Sequence, residues 1–64
     1  MKIRKIKKLN YIIWIDDHDR LHREDGPAIE YVNGTKEWWL NDEELTEEAY
    51  KKEILKRRLK DLIK

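Results

Sequence analysis

Two histidines and several aspartates lie close together in the first half of the chain, and metal binding is the first chemistry that they suggest. His18 and His22 stand within a few residues of four carboxylates, those of Asp16, Asp17, Asp19 and Asp25. Imidazole nitrogens and carboxylate oxygens together bind zinc and other divalent metals. The structural alternative is a cluster of hydrogen-bonded side chains that holds a turn, formed by His22, Arg23, Glu24 and Asp25.

Groups for covalent or acid–base catalysis are scarce. The chain has no cysteine and no serine, and besides the tyrosines its hydroxyl side chains are Thr35 and Thr46. Catalysis needs a nucleophile, or a matched acid and base, held in a pocket. Thr35 belongs to a predicted turn and Thr46 to the start of a predicted helix. We therefore predict that the protein is not an enzyme and has no catalytic residues. We also predict that it binds no metal and no cofactor.

Aromatic and basic side chains suggest a binding surface instead. Trp38 and Trp39 are adjacent, and neighbouring strand residues point to opposite faces of a sheet, so if one packs under a helix the other faces away. Tryptophan, tyrosine and arginine supply much of the binding energy at interfaces. The sequence does not decide which tryptophan is exposed. The predicted partner-binding residues are Trp38, Tyr31, Arg23, Trp39, Lys56, Arg57 and Lys60.

The elements that position these side chains must form from a short chain. A domain of 64 residues buries roughly 60% of the surface that its unfolded chain exposes, and no disulfide supports this one. We therefore expect a homo-oligomer, or docking on a larger protein, rather than a lone monomer. No apolar run approaches the ~20 residues that span a bilayer, and the start MKIRKIKKLN lacks the apolar part of a secretion signal. These features predict a cytoplasmic protein without membrane contact.

Charge is arranged in blocks that the net value of +1 conceals. Residues 1–10 carry +5, residues 11–50 carry −9 and residues 51–64 carry +5. Blocks of opposite sign favour pairing within the chain or head to tail between copies. The basic ends leave nucleic-acid binding as an alternative, although the acidic middle would repel phosphate.

The strand signals lie in the first two thirds of the chain. Residues 11–15 form an apolar, β-branched and aromatic run, and the aspartate-rich residues 16–19 predict a reversal. A second reversal is predicted at Asp25-Gly26-Pro27, where Gly26 would take a positive φ and Asp25 would cap the backbone around it. The state of residues 1–9 stays open.

Asn33-Gly34 lies between two β-rich runs and predicts a hairpin. A two-residue loop would place Ile29 opposite Trp38, and a three-residue loop would place it opposite Trp39. The sequence leaves both registers open.

A helix is predicted at about residues 46–63. Thr46 is a good N-cap, and Leu45 with Tyr50 matches a hydrophobic staple. The apolar residues recur at helical spacing and form one stripe, expected to cover the width of the sheet, made of Tyr50, Ile54, Leu55, Leu59, Leu62 and Ile63. The prediction is a single α+β domain, residues 1–64. It consists of an antiparallel meander of three to four strands at about 1–41, packed by one C-terminal amphipathic helix.

Residues 14–45 contain a weak internal repeat, and one unit resembles a known family. The unit reads LHREDGPA at 21–28 and NGTKEWWLN at 33–41. It resembles the tandem "LHREDGPA…NGTKEWWLNG" repeats of phage and bacterial proteins, which are similar to MORN-type β-hairpin repeats. Where such an array would continue with Asn-Gly, this chain has Asn41-Asp42 and is expected to turn into the helix. Turns recur naturally in an array, which favours a structural role over a metal site for the histidine and aspartate cluster. The predicted structural turn residues are His22, Asp25, Gly26, Pro27, Asn33 and Gly34.

The resemblance implies an accessory, non-enzymatic role. The leading hypothesis is a phage protein that binds a host protein, possible targets including a defence nuclease, and inhibits it sterically. The first alternative is nucleic-acid binding through the basic N-terminus and the basic C-terminal helix. The second is a self-assembling structural fragment, since about one and a half repeat units cannot bury their own faces.

Overall fold

The computed structural model describes residues 2–62, which form five β-strands followed by one α-helix. The strands make an antiparallel meander in which each pairs with its neighbour along the chain. The predicted α+β fold is therefore confirmed, with five strands where three to four were expected. The elements are β1 Arg4–Lys7, β2 Tyr11–Ile15, β3 Ile29–Tyr31, β4 Lys36–Leu40, β5 Glu43–Leu45 and α1 Glu47–Leu62.

The basic segment near the N-terminus, whose state the sequence left open, forms β1. It pairs with β2 in a register that sets Lys5 opposite Trp14 and Ile6 opposite Ile13. β1 is an edge of the sheet, and lysine on an edge strand opposes pairing with other chains. Lys5 and Lys7, which belong to the basic N-terminal block, therefore oppose the pairing of another chain with β1.

The predicted Asn-Gly hairpin joins β3 to β4, but both predicted registers are wrong. Ile29 lies opposite Glu37 rather than opposite either tryptophan. The amide of Tyr31 donates to the carbonyl of Thr35 at 2.9 Å, so the loop consists of the three residues between them. This register places Trp39 on the same face as Ile29, since strand side chains alternate.

Gly34 provides a test of the hairpin loop. Its φ is +92°, and a Cβ there would have nothing within 4 Å, so a side chain would strain the backbone without clashing. We expect Gly34→Val to lower the free energy of unfolding by about 1–3 kcal/mol in urea denaturation. Gly34→Asn should cost less, because asparagine tolerates positive φ. Equal losses in the two variants would contradict a backbone cause.

The sheet was predicted to end near residue 41, but it continues into β5. Asn41 and Asp42 have positive φ values of 51° and 66°, as in a two-residue type I′ turn. β5 then pairs with β4 and sets Leu45 opposite Trp38. Short polar side chains tolerate this left-handed backbone, so the acidic segment forms a strand before the helix begins.

α1 begins at Glu47 behind the predicted cap. The Thr46 hydroxyl accepts a hydrogen bond from the amide of Ala49 at 3.1 Å. Leu45 packs against the buried cluster of Leu40, Tyr50 and Ile54. This packing fixes the direction in which α1 leaves β5 and lays it over β4 and β5. No helix within residues 2–62 has the length and apolar character needed to cross a bilayer.

The apolar stripe of α1 does not seal against the sheet along its length, which corrects the prediction. Tyr50 and Ile54 are buried, whereas exposure is 58%, 51% and 82% for Leu55, Leu59 and Leu62. The inward row continues from Ile54 to Arg57, and at about 100° per residue the leucines fall on a different side of the helix. Of the strands, α1 contacts β4 and β5 alone in the described part of the chain. Ile63 lies outside the described residues.

Candidate binding surfaces

The segment of residues 21–28, which carries the repeat string, lies between β2 and β4. The amide of His22 donates to the carbonyl of Trp14 at 3.1 Å, and that of Arg23 donates to the carbonyl of Trp39 at 3.3 Å. The segment thus lies between β2 and β4 at the end of the sheet that β3, which begins at Ile29, does not reach. Its side chains are therefore held in fixed positions between sheet and helix.

His22 is fully buried and bridges three parts of the chain. Its Nδ1 accepts a hydrogen bond from the amide of Asn41, in the β4–β5 turn, at 2.9 Å. Because Nδ1 accepts, the ring proton lies on Nε2, which donates to the Glu24 carboxylate at 2.9 Å. Arg57 of α1 lies 3.6 Å from the same carboxylate. Both ring nitrogens of His22 are thus engaged within the fold.

The two histidines do not share a site. The His18 side chain is 71% exposed, with Nε2 3.8 Å from Asp17, whereas His22 is buried with both nitrogens engaged. Between residues 2 and 62, no group of three His, Cys, Asp or Glu side chains is close enough to hold a metal ion. The geometry at His22 is that of a structural centre.

Asp16 holds the reversal after β2. Its buried carboxylate accepts hydrogen bonds from the amides of His18 and Arg20 at 2.8 and 3.0 Å, and from Nε of Arg20 at 2.9 Å. Desolvation alone would raise the pKa of Asp16, but these hydrogen bonds outweigh it and hold the pKa below its ordinary value. The carboxylate therefore stabilises the turn in its charged form.

Arg23 is a predicted contact residue, but its side chain makes its hydrogen bonds to other parts of the same chain. Its guanidinium stacks on Trp14, with Cζ 3.8 Å from the ring centroid. Nε donates to Asp25 at 2.9 Å, and Nη1 donates to the carbonyl of Pro27 at 3.0 Å and to Glu30 at 3.3 Å. The hydrogen bond from Arg23 lowers the pKa of the Asp25 carboxyl. Arg23 thus cross-links the segment to β2 and β3.

Gly26 has a different role from the predicted one. Its φ is not positive, and its amide donates to the Tyr50 hydroxyl at 3.3 Å instead of being capped by Asp25. A Cβ at this position would lie 2.8 Å from Cζ of Arg23. A side chain at this position would therefore have to displace the Arg23 guanidinium.

We expect Gly26→Ala to lower the free energy of unfolding by about 1–2 kcal/mol, because the methyl group would displace Arg23 from Trp14. In an Arg23→Ala background the same change should cost less than ~0.5 kcal/mol, since nothing remains to displace. Urea denaturation of the four proteins of this double-mutant cycle measures the coupling. Equal losses in the two backgrounds would locate the constraint in the backbone.

One face of the sheet lies opposite α1 and is mostly apolar. α1 packs on the face that contains Trp38 and Leu40, and the alternate residues point the other way. A depression of about 430 Å³ lies on this second face, lined by residues of β2, β3 and the β2–β3 connection. We call it the open sheet face and define it by Ile6, Tyr11, Ile13, Ile15, Leu21, Ile29, Tyr31, Glu37 and Trp39, with Arg4 and Asp19 forming an ion pair at its edge.

Glu37 joins two predicted contact residues on the open sheet face. The Tyr31 hydroxyl donates to Oε2 at 2.8 Å, and Nε1 of Trp39 donates to Oε1 at 2.9 Å. The hydrogen bond to Glu37 raises the pKa of Tyr31. Glu37 makes no ion pair with any residue between 2 and 62. The face thus holds two aromatic rings around a carboxylate that no cation neutralises within the described chain.

The remaining predicted contact residues lie on the other side. Trp38 packs against Tyr50, with ring centroids 4.9 Å apart, so Trp39 is the tryptophan that faces away from the helix. Arg57 is turned inward toward Glu24 and Glu53, while two lysines are exposed on the outer surface of α1, Lys56 and Lys60. The predicted contacts therefore divide between two faces and do not form one surface.

A groove of about 760 Å³ separates β1 from the second half of α1. Lys5 lines one side and Arg58 the other, so the two basic ends of the sequence border the same groove. Acidic side chains line it as well, namely Glu24, Asp25 and Asp61. The Trp14 ring in this groove is already stacked against Arg23.

Comparison with known proteins provides no relative from which a function could be transferred. No family model, curated protein or solved structure matches this chain. The resemblance to phage and bacterial repeats stays a prediction.

The centre of the open sheet face, which includes Ile13 and Ile15, was not predicted from the sequence. β2 is apolar at every position, which is typical of a strand covered on both faces, so nothing indicated that one face lacks a helix. The available signal was the alternation in β4, where Glu37 and Trp39 share a face that excludes Trp38.

Proposed function

We propose that the chain is a non-enzymatic protein-binding module whose binding surface is the open sheet face. The observation that carries the proposal is the position of Tyr31 and Trp39 around Glu37, beside an apolar depression that α1 leaves uncovered. Aromatic rings with a fixed polar atom are typical anchors of protein interfaces. Ordered rings also lose little conformational entropy on binding.

For the partner, the proposal follows the resemblance of the repeat string. The partner is a protein of the host cytoplasm, a defence nuclease being one candidate, and a phage-encoded chain of this kind would inhibit it by covering its surface. No catalytic step is part of the proposal, because inhibition by occupancy requires only affinity.

The test is capture of a partner from host lysate by the immobilised chain. We expect one stoichiometric protein to be captured by the wild type and lost with Trp39→Ala, which removes an anchor from the open sheet face. Leu9→Ala, a change at a residue that is 91% exposed between β1 and β2, is the control and should leave capture intact. Recovery of the chain alone, or equal capture by both variants, would contradict the proposal.

A second candidate function is binding of a polyanion, favoured by the groove that both basic ends border. It predicts affinity for single-stranded nucleic acid that falls steeply with salt and is lost in Lys5→Glu or Arg58→Glu. Fluorescence anisotropy with a labelled oligonucleotide at ~50 mM salt measures it. Absence of binding at that salt concentration would remove this candidate.

A further inference from the structure

α1 carries a stripe of exposed leucines that is not buried against the sheet. Leu55, Leu59 and Leu62 follow the i, i+4, i+7 spacing of one helix side, and each is more than half exposed. Continuous apolar rows of this kind on a helix usually contact another surface. We define the leucine stripe by these three residues.

The borders of the leucine stripe decide what kind of surface fits it. By helical spacing, Lys51 and Arg58 border it on one side and Lys52 and Lys56 on the other, while Glu48 lies two turns before Leu55 on the same side, so the surrounding charge is net positive. Two such helices placed side by side would bring like charges together, which is unfavourable in helix pairing. The matching surface is therefore apolar with acidic groups, and it is not a second leucine stripe.

The open sheet face has this chemistry. Its centre is formed by isoleucine and tyrosine side chains. Arg4 and Asp19 at its edge neutralise each other, whereas Glu37 has no ion pair to any residue between 2 and 62. Glu44 of β5 lies opposite Trp39 and extends the negative charge along the same face. A lysine or arginine from the border of a leucine stripe would neutralise Glu37 while the leucines fill the depression.

We infer that the leucine stripe of one copy docks on the open sheet face of a second copy, in a head-to-tail contact. The inference rests on the proposed function, in that it takes the open sheet face as the binding surface and names an occupant for it. The contact joins two different surfaces, so it is heterologous and each copy has one donor and one acceptor surface. Self-association and partner binding then compete for one face.

Light scattering of the purified chain across concentrations tests the inference. We expect the mass to rise above the 8.0 kDa of one chain as concentration increases. Leu55→Glu/Leu59→Glu, which removes the stripe, should weaken association at least tenfold, and so should Glu37→Lys, which reverses the charge of the face. Leu9→Glu is the matched control: Leu9 is 91% exposed in the β1–β2 turn, and its replacement should leave association unchanged.

Mixing the two defective variants distinguishes this contact from other pairings. The stripe variant keeps an intact face and the Glu37→Lys variant keeps an intact stripe, so the mixture should form a one-to-one heterodimer at concentrations where each variant alone is monomeric. Association that Glu37→Lys leaves intact, or a mixture that stays monomeric, would overturn the inference.

The lysate experiment separates this outcome from the fate of the proposed function. A chain that stays monomeric at all concentrations, but still captures a partner through Trp39, overturns the inference and leaves the proposed function standing. Concentration-dependent pairing with the expected variant effects, but without capture, supports the inference alone. If both hold, the stripe variant should capture at least as much partner as the wild type.

Discussion

Replacing His22 by alanine should lower the free energy of unfolding by about 3 kcal/mol and the melting temperature by roughly 10–20 °C. The substitution removes a fully buried side chain and leaves the Asn41 amide, which donates to Nδ1 at 2.9 Å, without its partner. It also removes the hydrogen bond from His22 to the Glu24 carboxylate, which lies beside Arg57 of α1. A domain of this length has a total stability of about 3–10 kcal/mol, so the loss should be a large part of the whole.

The amide side chains of asparagine and glutamine separate the two bonds that His22 makes. His22→Asn can offer an acceptor near the position of Nδ1 and should keep the hydrogen bond from Asn41, whereas His22→Gln reaches toward Glu24 instead. We expect asparagine to retain more stability than glutamine, because it satisfies a backbone amide while Glu24 keeps contact with water. Thermal melts followed by circular dichroism measure the series, and an alanine variant that melts like the wild type would refute the bridging role.

The elements that sequence analysis predicted correctly are those with local signals. The Asn-Gly hairpin and the Thr46 cap depend on a few adjacent residues whose backbone preferences act at short range. β5 was missed although Asn41 and Asp42 both tolerate positive φ, because a strand of three residues with two glutamates carries little strand signal of its own. It depends instead on pairing with β4, which sets Leu45 opposite Trp38.

The candidate site was less predictable because it depends on register and on which side of the helix packs. Both predicted loops began after Val32, whereas Val32 belongs to the loop, and this displaced the predicted pairing of Ile29. A shift of one residue exchanges the faces of a strand, so the exposed tryptophan could not be chosen from sequence. Periodicity found the apolar positions of α1, but it could not show that Arg57, paired with Glu24, takes an inward position while Leu55 stays exposed.

One end of the fold is held together by polar contacts in addition to its small apolar core. The Arg23 guanidinium connects β2 to β3, and His22 connects the β4–β5 turn to Glu24. Tyr50 completes the arrangement, because it belongs both to the apolar cluster and to the hydrogen bonds of the 21–28 segment. Its hydroxyl is therefore the point at which the docking of α1 can be tested without changing the core.

Tyr50→Phe should lower the free energy of unfolding by about 2–4 kcal/mol, although it removes a single oxygen. That oxygen donates to the carbonyl of Arg23 and accepts from the amide of Gly26, and burial raises the pKa of the hydroxyl, so it remains a donor. Phenylalanine would leave both backbone groups without these partners at a site where Tyr50 is 4% exposed. Each buried backbone group that loses its hydrogen-bond partner lowers the free energy of unfolding by about 1–3 kcal/mol.

Tyr31→Phe is the matched control, because it deletes the same atom from a ring whose hydroxyl donates to a carboxylate on the open sheet face. Water can replace that donor, so the loss should stay below ~1 kcal/mol. Hydrogen exchange adds a second measurement: if the Tyr50 hydroxyl fixes α1 to the 21–28 segment, the α1 amides should exchange faster in Tyr50→Phe and at the wild-type rate in Tyr31→Phe. Equal stability losses in the two variants would show that α1 is held by its apolar contacts with β4 and β5 alone.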